Sequence, residues 1–217
     1  MMSRQKTGRP PRLSSDTIAA AAETIIDTDG IEALSMRRLA RALGSSPTAV
    51  YRHVRGKDEL LLLLLDRAAR ELRKGPLPRD PRKRIFGLFQ IVYDGLAMRP
   101  WVVGVLVKGD LIAPSFLWFI EEIVAAFVAA GLSPQRAGAA YLVAWRYTVG
   151  HLIVRYETGQ NGAKLKHTPG VLRQLSSIDT QQFPILAELT GFWPAARKRD
   201  TYREDLAALI DGLLARG

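Results

Sequence analysis

Ile18, Ala22, Ile25 and Ile26 recur along one helical face, after Ser14 or Ser15 and before Gly30, and predict an amphipathic helix whose apolar stripe needs a cover. Leu39, Ala40 and Leu43 repeat the pattern over a shorter stretch. Ser35 is placed there to accept from a free amide at the helix start, and Gly44 can take the left-handed conformation that ends it. A third helix is predicted over residues 47–53. Ser46 caps it, Pro47 suits a first position where an amide would have no partner, and Val50 and Val54 point inward one turn apart. Two short helices around a tight turn, with a longer one as lid, form a helix-turn-helix head.

After this head, Asp58 and Glu59 open a helix reaching to about Arg73, and its unbroken leucine run over residues 60–65 requires burial on more than one side, as a connector between domains would. Gly75-Pro76-Leu77-Pro78 with Asp80-Pro81 is the clearest break. Helices are then predicted near residues 82–98, 101–108, 114–130 and 133–157, with joints at Pro100, Pro114 and Gly131. A loop over residues 159–170 and helices near 183–189 and 201–215 complete the chain. No alternating strand pattern and no internal repeat stands out. The expected fold is all-α, with a basic arm over residues 1–13, a three-helix helix-turn-helix domain over 14–57 and a larger helical domain over 58–217.

The outward face of the third helix carries Thr48, Ala49, Arg52 and His53, with Tyr51 at its edge. Arg37, Arg38, Arg41, Arg55 and Lys57 surround it, opposed between residues 31 and 57 by Glu32 alone, so the segment attracts phosphates. A helix-turn-helix lays its second helix in the major groove, which assigns Tyr51, His53 and Lys57 to phosphates and Thr48, Ala49 and Arg52 to base edges. Arg52 is the strongest reader. Structural readings compete: half-buried packing for Tyr51, a purely structural role for His53, and solvated or merely steering charges for Arg38 and Arg41. Lys57 sits beside Asp58 and Glu59 at a helix start, where free amides favour an anion. In the arm, Arg4, Lys6, Arg9 and Arg12 meet no acid, and Gly8-Arg9-Pro10 resembles the core of an AT-hook. Minor-groove contact and a solvated tail are its two readings.

The chain of 217 residues carries a net charge of +10 and 47% hydrophobic residues, enough for a full core and suited to a polyanionic partner, although an anionic membrane surface would also attract it. It has no cysteine, which excludes disulfides, cysteine zinc sites and thiol catalysis and fits a reducing cytoplasm, the expected location. No secretory pattern is visible, and the apolar runs over 60–65 and 101–107 are too short to span a bilayer. A phosphate-cradling glycine loop, a histidine pair at metal spacing and a nucleophile elbow are all missing, and His53, His151 and His167 lie far apart, so no enzyme, metal or cofactor is expected.

The runs Ile-Glu-Ala-Leu-Ser-Met-Arg-Arg-Leu-Ala, Leu-Gly-Ser-Ser-Pro-Thr-Ala-Val-Tyr-Arg-His-Val and Gly-Lys-Asp-Glu-Leu-Leu within residues 14–62 resemble the TetR family of bacterial transcriptional regulators. The resemblance implies that Arg37 and the helix over 47–53 face an operator, that Tyr51, His53 and Lys57 grip phosphates, and that the following helix links to a ligand domain. The DNA-binding set is accordingly Arg37, Ser46, Pro47, Thr48, Ala49, Tyr51, Arg52, His53 and Lys57. Beyond residue 62 the agreement extends only to length and helical character.

In the larger domain, aromatics fall on successive helices beside Asp94, Glu121, Glu122, Arg146 and His151. Apolar walls with a few polar groups suit a small-molecule site between helices, which points to Phe89, Tyr93, Trp101, Trp118, Trp145 and His151. Core packing is the competing reading for each aromatic, and a buried hydrogen-bonded imidazole for His151. Gly138, Ala139, Ala140 and Ala144 permit close helix approach, and Leu206, Leu209, Ile210, Leu213 and Leu214 stripe the last helix, making these two helices the candidate homodimer interface. The resemblance implies the same four-helix arrangement. Intramolecular packing is the alternative. The expected function is a ligand-responsive regulator, a repressor in the family's usual mode, bound as a dimer to a palindromic double-stranded operator and released by a small-molecule effector. The alternative is a helical small-molecule-binding or protein-interaction module without sequence-specific DNA binding.

Overall fold

The computed structural model describes residues 13–72, 75–108, 111–156, 178–192, 196 and 199–215, and among them every regular element is helical. The elements are α1 (Ser15–Asp29), a 3-10 turn (Ile31–Ala33), α2 (Met36–Ala42), α3 (Pro47–Tyr51), α4 (Lys57–Glu71), α5 (Pro81–Ala97), α6 (Pro100–Lys108), a second 3-10 turn (Pro114–Phe116), α7 (Leu117–Ala129), α8 (Pro134–Tyr156), α9 (Pro184–Glu188) and α10 (Tyr202–Leu214). The basic arm with its AT-hook-like tripeptide, apart from Leu13, and the loop expected over 159–170 lie outside the described residues.

Two compact units result. The first comprises residues 1–72 with 104–118, the second residues 73–103 with 119–217.

In the first unit, side-chain oxygens close the helix starts. Ser14 Oγ accepts from the Thr17 amide at 3.2 Å while Thr17 Oγ1 accepts from the Ser14 amide at 2.9 Å, a reciprocal cap that satisfies two donors. Ser35 and Ser46 each accept from the amide three residues on, Arg38 and Ala49 respectively, both at 3.2 Å. Gly44 ends the α2 turn at φ 58°, a left-handed conformation that a Cβ would strain. Under these caps Ile18, Ala22, Ile25, Ile26, Leu39, Ala40, Val50 and Val54 are buried together with Leu60, Leu64 and Leu65 of α4.

The third helix is shorter than its sequence pattern indicates. It ends at Tyr51, with Arg52 as its cap residue. The reason is local: His53 donates its amide to Val50 at 2.9 Å, three residues back, so the last turn tightens and the chain leaves the helix through Arg52 and His53. Replacing Ser46 with Ala leaves the Ala49 amide without its side-chain acceptor in a helix of five residues. We expect a loss of about 0.5–2 kcal/mol in denaturant unfolding, largely restored by Ser46→Asp.

In the second unit, α5, α8 and α10 pack against one another and bury Ile85, Leu88, Phe89, Leu152, Leu206 and Ile210, and on α7 Phe119 and Phe127 are buried as well. Asp80 caps α5 by accepting from the Lys83 amide at 2.7 Å, and Pro81 occupies the first helical position. At the other end of α5, Tyr156 of α8 donates to the Leu96 carbonyl at 3.2 Å. Arg82 and Asp211 tie the start of α5 to α10 through a two-pronged ion pair, with Nη2 to Oδ2 at 2.7 Å.

Candidate nucleic-acid interface and effector site

Burial divides α3 cleanly. Val50 and Val54 are sealed inside, Ser46, Pro47, Thr48, Tyr51, Arg52 and His53 are exposed, and Ala49 is half-exposed. Tyr51 keeps 46% of its surface in solvent, which leaves its hydroxyl available for contact while the ring rests on the head. Arg37 on α2 and Lys57, the first residue of α4, are exposed on the same unit. Among the described residues, Arg37, Arg41, Arg52, His53 and Lys57 have no carboxylate partner, whereas Arg38 is bound to Asp29. The head thus presents a short polar helix and a rim of uncompensated cations, the arrangement that a phosphate-lined groove attracts.

Two adjacent charges on α4, neither of which the sequence pattern singles out, fix this helix within the first unit. Arg67 approaches Glu23 of α1 at 3.3 Å and Asp16 at 3.7 Å, with Glu71 of its own helix also at 3.7 Å. The buried Nε is not aligned for a hydrogen bond, so the attraction is ionic. Asp66 Oδ1 accepts from the Ser115 amide at 2.7 Å and so binds the second 3-10 turn to α4. Glu23, Asp16 and Ser115 lie far along the chain from Arg67 and Asp66, and no local signal marks them as partners.

Of the residues expected at an effector site, Phe89, Tyr93, Trp101, Trp145 and His151 lie in the second unit, and Trp118 lies in the first. Phe89 is wholly buried and stacks on Tyr141 with centroids 6.3 Å apart, while Tyr141 stacks on Trp145 at 6.4 Å. Trp101 is half-buried. Tyr93 stacks on Tyr202 at 3.7 Å, and His151 meets both rings edge-on, at 5.8 and 5.3 Å. Arg155 donates to the Tyr93 hydroxyl at 2.6 Å and to Asp200 Oδ2 at 2.7 Å. His151 Nε2 stands 3.6 Å from the same carboxylate, beyond hydrogen-bond length. Thr148, Arg155, Asp200 and Tyr202 complete the cluster. Only the convergence of α5, α8 and α10 could have revealed them.

Burial pushes the Tyr141 hydroxyl up to about 12, and Tyr93, Tyr147 and Tyr202 are also raised chiefly by burial, against the hydrogen bond that Tyr93 accepts from Arg155 and the one shared between Tyr202 and Thr148. The phenols stay neutral near pH 7. The cluster therefore brings together stacked rings with O–H groups, an arginine and a carboxylate.

On α8 the solvent side carries Ala139, Leu142, Val143 and Val154, with Leu142 44%, Val143 40% and Val154 63% exposed. On α10, Leu206 and Ile210 are buried, Leu209, Leu213 and Leu214 are half-buried, and Ala208 and Gly212 are exposed. Among the described residues no helix is long and apolar enough to cross a membrane, and no group of three or more metal-ligating side chains occurs.

Residues 18–64 match the family described as bacterial regulatory proteins, tetR family, and residues 76–216 match the tetracyclin repressor-like C-terminal domain. The HTH-type transcriptional repressor DrrR1 of Streptomyces coeruleorubidus is 33% identical over 228 residues, an alignment covering 97% of this chain and 80% of that protein. ActR of Streptomyces coelicolor, crystallised with actinorhodin, superposes with a TM-score of 0.78 at 24% identity, covering 95% of this chain and 98% of the other. A BioQ crystallised with its natural double-stranded DNA operator superposes at 0.64 with 24% identity, covering 94% and 99%. Two family matches in tandem, a relative aligned over nearly all of this chain and the exposed α3 agree: the chain belongs to the TetR family of bacterial regulatory proteins.

Proposed function

We propose that the protein is a cytoplasmic, non-catalytic repressor that binds a palindromic DNA operator as a homodimer and lets go when a small molecule occupies its larger helical domain. The observation that carries this reading is the exposed outer face of α3 beside Arg37 and Lys57, cations with no carboxylate partner among the described residues. Thr48, Ala49 and Arg52 read base edges, with Ser46 and Pro47 at the helix start against the duplex. Tyr51, His53 and Lys57 hold phosphates. Residues 14–57 act as the reading head and 58–217 as the regulatory part.

One such helix covers too few base pairs for operator specificity, so two heads engage successive major grooves roughly 34–36 Å apart. The exposed apolar stripe of α8 and the half-covered leucines of α10 supply the contact between subunits, closing a four-helix bundle. The relatives agree in kind: DrrR1 is named a repressor, ActR was crystallised with actinorhodin and BioQ with its operator.

The effector is a planar aromatic compound that contacts Tyr93, Trp145 and His151, with Phe89 and Trp101 behind them. The Asp66 bond to Ser115 is the route by which a shift of the 3-10 turn reaches α4 and, through Arg67, α1. Differential binding of the effector to the two states sets the change in operator affinity, about 1–3 kcal/mol in such couplings.

Selection of bound sequences from random duplexes tests the reading. An inverted repeat with half-sites one helical turn apart is expected, and addition of a planar phenolic compound that binds the protein should lower affinity for the selected site roughly 5–150-fold. Recovery of no sequence above background would leave the protein a ligand-binding or interaction module.

A further inference from the structure

A groove of about 750 Å³ runs between α1 and α2, open to solvent and walled by Thr24, Thr28 and Asp29 on one side and by Arg37, Arg38 and Arg41 on the other. Asp29 is its one acid, and Arg38 already occupies it. Arg37 and Arg41 remain, four residues apart on one helical face and without a carboxylate partner among the described residues. Two like charges at that spacing repel one another across a helix surface. A concave wall that keeps them side by side fits an anion, and planar guanidinium groups match the oxygens of a phosphodiester.

We infer that the groove between α1 and α2 is a second phosphate seat, in which Arg41 with Arg37 holds a backbone phosphate of the DNA duplex separate from those held by Tyr51, His53 and Lys57. Thr24 and Thr28 form its opposite wall. Their hydroxyls donate to the Ala20 and Thr24 carbonyls at 2.9 and 2.8 Å, so this wall bounds the groove and the anion is held from the α2 side alone. Asp29 keeps Arg38 away from the anion, so the seat is specific to Arg37 and Arg41. Such a contact fixes the register of the head on the duplex and carries no base preference. The inference rests on the DNA-binding reading and adds one contact point per subunit to it.

Phosphate-ethylation interference on the selected operator, with Arg41→Gln beside the unaltered protein, tests the seat. Arg41 is exposed and the substitution keeps a long polar side chain, so unchanged circular dichroism and melting are expected. The unaltered protein should lose binding when any of its contacted phosphates is ethylated. The variant should become indifferent to one phosphate per half-site, with the same base preference and a salt slope shallower by roughly 0.9 per subunit. An unchanged interference map and slope in Arg41→Gln would overturn the inference while leaving DNA binding intact. Inorganic tripolyphosphate is the third arm: tight binding of it that Arg41→Gln abolishes, with the operator map unchanged, would assign the groove to a free anion and overturn the duplex assignment. Failure of the unaltered protein to bind any duplex would be a failure of the functional reading itself.

Discussion

Tyr202→Ala is expected to lower the unfolding free energy by about 3–5 kcal/mol, the range for truncating a large buried aromatic. Tyr202 opens α10 completely buried, stacks on Tyr93 at 3.7 Å and on Tyr147 at 5.8 Å, and places its hydroxyl 3.0 Å from Thr148 and 3.4 Å from the Phe89 carbonyl. Truncation leaves a cavity among three helices and frees a hydroxyl bond. Tyr202→Phe keeps the ring and removes only the polar tip. Thr148 retains its bond to the Ala144 carbonyl at 2.8 Å, so this change should cost about 1 kcal/mol. Urea unfolding of the three proteins, read by tryptophan fluorescence, gives both values. Equal midpoints for Tyr202→Ala and the unaltered protein would show that α10 is not built into this core. Full retention of effector binding in Tyr202→Ala would separate the cluster's packing role from recognition.

The second large effect concerns assembly. Val143→Asp sets a charge in the exposed stripe of α8, where the unpartnered subunit already leaves Val143 40% in solvent, so the single chain should fold with little penalty. Opposite a second copy the carboxylate would be desolvated without a counter-charge, a cost of several kcal/mol. We expect sedimentation to show monomers at micromolar concentration, with circular dichroism unchanged. Operator affinity should fall toward that for random DNA, a loss on the order of 10³-fold or more, because a lone head reads only one half-site. A Val143→Asp protein that remains dimeric would place the subunit contact elsewhere. One that becomes monomeric yet binds the operator as before would remove the need for paired heads.

Local chemistry made the head legible from its residues. Ser35, Ser46-Pro47 and Gly44 announce helix starts and stops through hydrogen bonding and backbone freedom, which depend on neighbours within four residues. The exception is the end of α3, where the three-back bond from His53 to Val50 competes with the helical pattern and leaves Arg52 and His53 on the exit turn. The long helices followed from apolar spacing, with boundaries displaced by a residue or two, and the expected helix over 114–130 divides into a 3-10 turn and α7. What the pattern could not supply was pairing at a distance. Arg67 with Glu23, Asp66 with Ser115, and Arg155 with Asp200 and Tyr93 join residues 44 or more positions apart. A charged side chain on a helix looks the same in sequence whether it meets solvent or a distant partner. For the same reason Trp118, an aromatic at helical spacing like the others, gave no sign that it clusters with the first unit.

If α3 reads bases, repeating the duplex selection with Arg52→Ala should change what is recovered. The unaltered protein should yield an inverted repeat and the variant the same repeat with preference relaxed at one base pair in each half-site, a discrimination of about 1–3 kcal/mol lost there. Identical base preferences from the two proteins, at every position of both half-sites, would contradict it.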